Sequence, residues 1–197
     1  MNPKNIFLID GASGCGKSDF VEYVNSMKEK VGFLIKFTTR EIRDYEKDNL
    51  CNLDLFFCNK QEFEKYNFEY QYEYEKQFYG FSKHELDLLI EKCDNIFIII
   101  RNIPLMRRIK REYNNQNVIS VYIHSDLLKI EERLKMQQFN DKQIAFRLSR
   151  IETTYKDYVL NSAFFDEVIV NNSNIDYYHL LIDNLIKKYA KNENGIV

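Results

Sequence analysis

Two rhythms of apolar residues alternate along this chain: short continuous runs and stripes at helical spacing. Residues 4–10 hold the unbroken run Ile6-Phe7-Leu8-Ile9 and predict a strand buried on both faces. Ser18–Lys30 follows, with Phe20, Val21, Val24 and Met27 on one helical face. Gly32–Phe37 predicts a second strand. Thr38–Glu46 is polar and Asp48–Asn52 is loop-like. Leu53–Cys58 predicts a short strand, and Lys60–Tyr66 a short helix with Phe63 turned inward.

From Phe68 to Tyr74 the period changes to two, with Phe68, Tyr70, Tyr72 and Tyr74 alternating with Glu69, Gln71 and Glu73. This is strand patterning with one aromatic and one acidic face. Phe78–Ser82 ends the segment, and Ser82 with Glu85 makes a capping pair for a helix to about Lys92. Strand and helix then alternate again. Ile96–Ile100 is a buried strand, Pro104–Tyr113 a helix opened by proline, and Val118–Ile123 a strand. Asp126–Met136 is a helix capped by Ser125. A long helix from Asn140 or Asp141 to about Leu160 sets Ile144, Leu148, Ile151, Tyr155 and Tyr158 toward the core. Glu167–Asn171 and Ile175–Tyr189 close the chain as strand and helix. The repeated units predict an α/β fold with a parallel sheet flanked by helices. Residues 38–90 break the rhythm as an insertion, leaving 1–37 and 91–197 as the core of a single domain.

The 197 residues, 45% hydrophobic and 29% charged, fit one soluble domain with a sizeable core. A net charge of −2 provides no basic field for nucleic acid or an anionic membrane. The residues before the first strand leave no room for a signal peptide, and Ile96–Ile100 is too short to span a bilayer. Cysteines 15, 51, 58 and 93 form no C-x-x-C pair and have no histidine at ligand spacing. Reduced thiols in the cytosol are therefore expected, rather than zinc or disulfides.

The chemistry concentrates at Gly11–Ser18, Gly-Ala-Ser-Gly-Cys-Gly-Lys-Ser, which fits the phosphate-loop pattern G-x-x-x-x-G-K-[ST] between a strand and a helix. Three of the chain's six glycines lie in these eight residues. They let the backbone curl so that N–H groups converge on an anion. Gly11, Ser13, Gly14, Cys15, Gly16, Lys17 and Ser18 are the expected ATP-binding set. Lys17 meets the β/γ-phosphates, Ser18 offers a hydroxyl to Mg²⁺, and the helix adds its positive end. Cys15 reads as a small filler or as an oxidation-sensitive thiol.

The order of pieces resembles the guanylate kinase family over nearly the whole chain. The resemblance rests on the phosphate loop, the T-T-R-x-x-R-x-x-E run at Thr38–Glu46, Asp54-Leu55-Phe56-Phe57, and Tyr79-Gly80-x-Ser82-Lys83. It continues through Arg133-Leu134, Arg147-Leu148 and Phe165–Asn171. It implies a P-loop NTPase three-layer fold with a monophosphate-binding insertion and a lid at about 136–142. It also implies transfer of the γ-phosphoryl of ATP to GMP, with Mg²⁺, by a monomer or homodimer. Arg40, Arg43, Glu46, Tyr79 and Ser82 then form the acceptor site. Guanidinium forks orient a phosphate as lysines cannot. Glu46 either orients an arginine or is a solvated carboxylate. Lys17, Arg133 and Arg147, with Arg150 nearby, correspond to the catalytic cations; the alternative is surface pairing with Glu131 or Glu152.

The departures cluster at the positions that read guanine in the family, where Lys36, Tyr70, Phe81 and Arg101 stand here. A one-residue slip would bring Glu69 into the place of Tyr70. Leu55 replaces a phosphate-binding tyrosine, and the lid Met136-Gln137-Gln138-Phe139 lacks a further arginine common in the family. Arg101 replaces an acidic group. That leaves Asp10 either as a stand-in carboxylate reaching the metal through water or as a loop-capping hydrogen-bond acceptor. Arg101 meets an acidic group on the acceptor or pairs with a nearby carboxylate. Another monophosphate or a sugar phosphate therefore stands beside GMP as acceptor. A phospholigand-binding module without turnover and an ATPase switch are the readings from other classes.

Overall fold

The computed structural model describes residues 4–27, 30–43, 46–47, 54–136 and 139–190. In chain order, β1 (Asn5–Gly11) leads into α1 (Lys17–Asn25), then β2 (Val31–Phe33), β3 (Lys36–Thr38), β4 (Leu55–Phe57) and α2 (Lys60–Tyr66). The hairpin β5 (Tyr70–Tyr74) and β6 (Gln77–Phe81) precedes α3 (Lys83–Lys92), β7 (Asn95–Ile99) and α4 (Ile103–Glu112). Then come β8 (Asn117–His124), α5 (Leu127–Met136), α6 (Asp141–Leu160), β9 (Glu167–Val170) and α7 (Ile175–Tyr189). The loop expected at 48–52 and the lid residues Gln137 and Gln138 lie outside the described residues.

Five strands pair in parallel in the order β2-β7-β1-β8-β9. Successive strand residues face opposite ways, so a strand covered on both sides must be apolar throughout. Phe7 and Ile9 accordingly enter a core with Phe20 and Val24 of α1 and Ile182 and Ile186 of α7. Ile6 and Leu8 enter another with Leu86 of α3 and Leu105 and Ile109 of α4. The result is a three-layer α/β fold. No helix among the described residues is long and apolar enough to cross a membrane.

A second sheet, β4-β3-β6-β5, sits beside the first. The alternation over 68–74 has the expected effect: Phe68, Tyr70 and Tyr72 are buried, and Glu69, Gln71 and Glu73 are exposed. The Tyr70 hydroxyl donates to Glu112 at 2.6 Å, tying this sheet to α4. Capping boxes open α2 at Asn59/Glu62, α3 at Ser82/Glu85 and α6 at Asn140/Gln143, each satisfying two otherwise orphaned N–H groups.

The structure corrects several sequence expectations. The single strand over 32–37 is two strands in different sheets. Leu34 N still bonds Phe97 O at 3.0 Å, but Lys36 N bonds Asp54 O at 2.9 Å, so the chain changes sheets between them. Helix α1 ends at Asn25, short of Lys30. Ser125 does not cap α5, because its hydroxyl donates to Asn171 O at 2.7 Å. Tyr155 is 45% exposed, and it is Tyr158 that packs inward, stacking on Tyr122 at 3.9 Å. Strand β6 had no counterpart in the sequence reading. Its turn uses Glu75 and Lys76 at φ 58° and 61°, a left-handed pair normally signalled by Asn or Gly.

Gly80 on β6 shows how closely this second sheet is packed. A Cβ there would meet Phe68 Cδ2 at 2.5 Å and Phe63 Cζ at 2.9 Å. We predict that Gly80→Ala destabilises the protein by about 1–3 kcal/mol through overpacking, read as a lower urea midpoint at unchanged slope.

Candidate active site

The site begins where β1 gives way to α1. Gly14 and Gly16 take left-handed conformations, φ 79° and 105°, which turn the loop back over the start of the helix. The space is as restrictive as the backbone: a Cβ on Gly16 would lie 2.3 Å from Asn171 Nδ2. The loop is braced from beneath. Asn171 Nδ2 donates to Cys15 O at 2.9 Å, and the Tyr178 hydroxyl donates to Gly16 O at 3.1 Å. The Cys15 side chain is fully buried in the core beneath, as a small filler would be. Lys17 Nζ arches over the loop, donating to Gly11 O at 2.7 Å and Ala12 O at 2.6 Å, and burial lowers its pKa. Ser18 is exposed and lines the cleft above.

Two arginines from the lid side reach this loop. Arg133 on α5 donates to Ser125 Oγ at 2.9 Å, Asn171 O at 2.9 Å, Asn171 Oδ1 at 3.0 Å and, longer, Gly14 O at 3.4 Å. Arg147 on α6 donates to Ser13 Oγ at 3.0 Å and stacks over Phe139 at 4.1 Å. The expected competitors bind elsewhere, Glu131 to Lys135 and Glu152 to Lys156.

Across the cleft lies the second cluster. Glu46, only 6% exposed, accepts both Arg40 forks at 2.9 Å. It also accepts the Arg43 N–H at 2.9 Å and lies 3.7 Å from the Arg43 guanidinium. It therefore orients both arginines and is no solvated carboxylate. Tyr79 lines the same wall, stacked on Tyr72 at 5.2 Å, and burial raises the pKa of its phenol, keeping it a donor. Ser82 is not among the lining residues; its hydroxyl accepts from Glu85 N at 3.1 Å in the cap of α3. A single cleft of about 530 Å³ carries Lys17, Ser18, Arg40, Arg43, Tyr79 and Arg147 on its walls.

The altered positions divide. Lys36 and Arg101 line the cleft, Lys36 paired with Asp54 and Arg101 lying 3.6 Å from Asp10. Tyr70 and Phe81 are buried away from it, and Glu69 accepts from Lys83 N at 3.1 Å on the outer face. The hairpin instead turns Tyr72, Tyr74 and Glu75 toward the cleft, and α6 adds Thr154. Sequence reading missed these four residues. The signal for the tyrosines was present, since they share the aromatic face with Tyr70. Glu75 and Thr154 gave none. Asp10 accepts from Gly11 N at 2.6 Å, and burial raises its pKa against the pull of Arg101.

A glycine-built anion cradle facing an arginine-built one, at the end of a parallel sheet, defines a P-loop phosphotransferase for small phosphorylated acceptors. Comparisons with known proteins narrow that class. The family model described as guanylate kinase matches residues 3–189. Guanylate kinases from three strains of Helicobacter pylori are each 27% identical over 175 residues, covering 86% of this chain and 81% of theirs. The guanylate kinase of Anaplasma phagocytophilum superposes with a TM-score of 0.60 at 20% identity, over 98% of this chain and 89% of that one. A shikimate kinase from Bacteroides thetaiotaomicron gives a TM-score of 0.51 at 13% identity, over 93% and 98%. These last two likenesses speak to the fold alone. The chain belongs to the guanylate kinase family and is a nucleoside-monophosphate kinase.

Glu46 gives the sharpest test of the arginine cluster. Glu46→Gln removes the charge that orients both guanidinium groups, so the acceptor KM should rise about tenfold while the ATP KM stays within about twofold. Steady-state kinetics varying each substrate separately would check this.

Proposed function

We propose that this protein transfers the γ-phosphoryl group of ATP to GMP, giving ADP and GDP. The observation that carries the reading is the continuity of one cleft from Lys17 and Ser18 to Arg40, Arg43 and Tyr79. ATP lies on the loop. The acceptor phosphate sits between the two arginines that Glu46 orients, with Tyr79 donating a further hydrogen bond. Lys17 and Arg147 face the charge that spreads over the transferred group, and Arg133 stiffens the loop beneath it. No general base is needed, because the attacking phosphate oxygen is already anionic.

Mg²⁺ fits this chain through Ser18, an exposed hydroxyl in the cleft at the first turn of α1. No cluster of three or more His, Cys, Asp or Glu suited to a metal occurs among the described residues. That suits an ion held mainly by substrate phosphates and water. When bound, it would neutralise phosphate charge. Asp10 meets both Gly11 N and the Arg101 charge through Oδ1, so Ser18 is the protein's direct contact to the ion and Asp10 would reach it through water.

Guanine presents N–H donors on the edge that its kinases read, and so requires an acceptor in the wall. Asp54 supplies one. In the Lys36–Asp54 pair the lysine side chain is 2% exposed and the carboxylate 15%, so the acid is the partner turned toward the cleft. Arg101 favours a second reading, in which the far end of the acceptor carries hydrogen-bond acceptors of its own, as in another monophosphate or a sugar phosphate. The complete phosphate loop favours turnover over a pure binding module.

The deciding experiment measures ADP release from ATP with a panel of nucleoside monophosphates and sugar phosphates. GMP should stimulate release most strongly, and Lys17→Ala should reduce the rate by about 100-fold or more. Asp54→Asn should raise the GMP KM about tenfold. The kinase reading is sunk if no acceptor raises release above the Lys17→Ala background. Best turnover with a non-guanine acceptor would select the second reading.

A further inference from the structure

Bonds that serve neither anion cradle directly link the two sides of the cleft. At the turn of the β5–β6 hairpin, Glu75 meets Arg150 of α6 at 2.7 Å. One residue earlier, the ring of Tyr74 lies 4.3 Å from the Arg101 guanidinium. Arg101 in turn donates to Thr154 Oγ1 on α6 at 2.7 Å and lies 3.6 Å from Asp10 at the end of β1. The Thr154 hydroxyl donates back to Arg150 O at 3.2 Å, so both links converge on one turn of α6. That helix also carries Arg147, which touches the phosphate loop at Ser13, and the hairpin carries Tyr79 of the acceptor wall.

We propose that Arg101 and the Glu75–Arg150 pair are positioning residues that couple the acceptor-side hairpin to α6, so that filling one compartment tightens binding in the other. This rests on the two-substrate reading given above and adds to it. The side chain of Arg101 is only 16% exposed, and a guanidinium so placed cannot give up one partner without leaving charge poorly solvated. Its contacts to Asp10, Tyr74 and Thr154 tie the end of β1, the hairpin and α6 to one side chain. Glu75 and Arg150 are 30% and 36% exposed, where an ion pair adds little to global stability. Its effect is felt instead in the relative placement of the elements it joins. Binding free energy spent ordering α6 around ATP then need not be spent again when the hairpin closes on the acceptor, which is positive coupling.

Calorimetric titration of GMP with and without a non-hydrolysable ATP analogue and Mg²⁺ reads the coupling directly. Wild type should bind GMP about tenfold tighter in the presence of the analogue. Arg150→Gln and Glu75→Gln should each reduce that gain to about twofold, read as the ratio of each variant's own GMP affinities with and without the analogue. The charge swap Glu75→Arg with Arg150→Glu should recover most of it. Full tightening in both single variants, or a swap that recovers nothing, overturns the proposal. Hydrogen exchange on the protein without nucleotides gives a readout independent of acceptor identity. Amides of 70–81 should exchange faster in Arg150→Gln, and unchanged exchange there also overturns the coupling. Failure of wild type to bind GMP, with faster exchange in Arg150→Gln, supports the link and sinks only the choice of GMP.

Discussion

A loop that is to hold a phosphate by its N–H groups must be stiff before the phosphate arrives, and this requirement governs the turn from β1 to α1. Stiffness comes from three directions. The strand beneath is the middle one of five, with β7 on one side and β8 on the other. Gly14 and Gly16 adopt backbone conformations that side-chain-bearing residues rarely take. Asn171, at the end of β9, then grips Cys15 O while its own carbonyl and amide oxygens are held by Arg133. The strand order also explains why the cleft opens here. The chain crosses from β1 outward to β2 and β7 on one side, and later to β8 and β9 on the other. The crevice at such a reversal is where open α/β sheets take their ligands.

Sequence alone revealed most of this frame, for a physical reason. Buried parallel strands must be continuously apolar and amphipathic helices must be striped, so β1, β7, β8, α4 and α7 announced themselves within a residue or two. Local capping chemistry did the same for Ser82 and Asn140. What escaped notice depended on partners distant in the chain. Nothing around Gly32–Phe37 says that Lys36 N will pair with Asp54, eighteen residues later, rather than continue in the first sheet. Ser125 has the composition of a cap but is drawn to Asn171 by the arrival of β9. Tyr70 and Tyr72 share one face of β5, yet α4 covers the first while the cleft receives the second. Period-two patterning identifies a face; it does not say where along that face a covering helix stops.

The same limit shaped the reading of the site. The phosphate loop is a contiguous motif and could be placed to the residue, whereas the acceptor wall is assembled from β3, β4, β6 and the segment after β3. Arg40, Arg43 and Glu46 lay close enough in sequence to be recognised together. Lys36 read as a cation replacing a group that reads a base, and Arg101 as one that meets the acceptor or pairs with a nearby carboxylate; the structure supplies a carboxylate partner for each. Each cationic side chain needs a counter-charge to remain in a low-dielectric wall. Asp54 stands with Lys36, Asp10 with Arg101, Glu46 with Arg40 and Arg43, and Glu75 with Arg150. These pairs differ in which member faces the cleft. Glu46 is buried behind its arginines, presenting cations to an incoming phosphate. Lys36 is buried behind its aspartate, presenting a carboxylate to whatever lies at the far end. A cleft whose gross composition is strongly basic therefore presents cations at Arg40 and Arg43, a carboxylate at Asp54 and a cation again at Arg101. A substrate matches that pattern where its phosphate meets the arginines that Glu46 holds and its N–H donors meet Asp54.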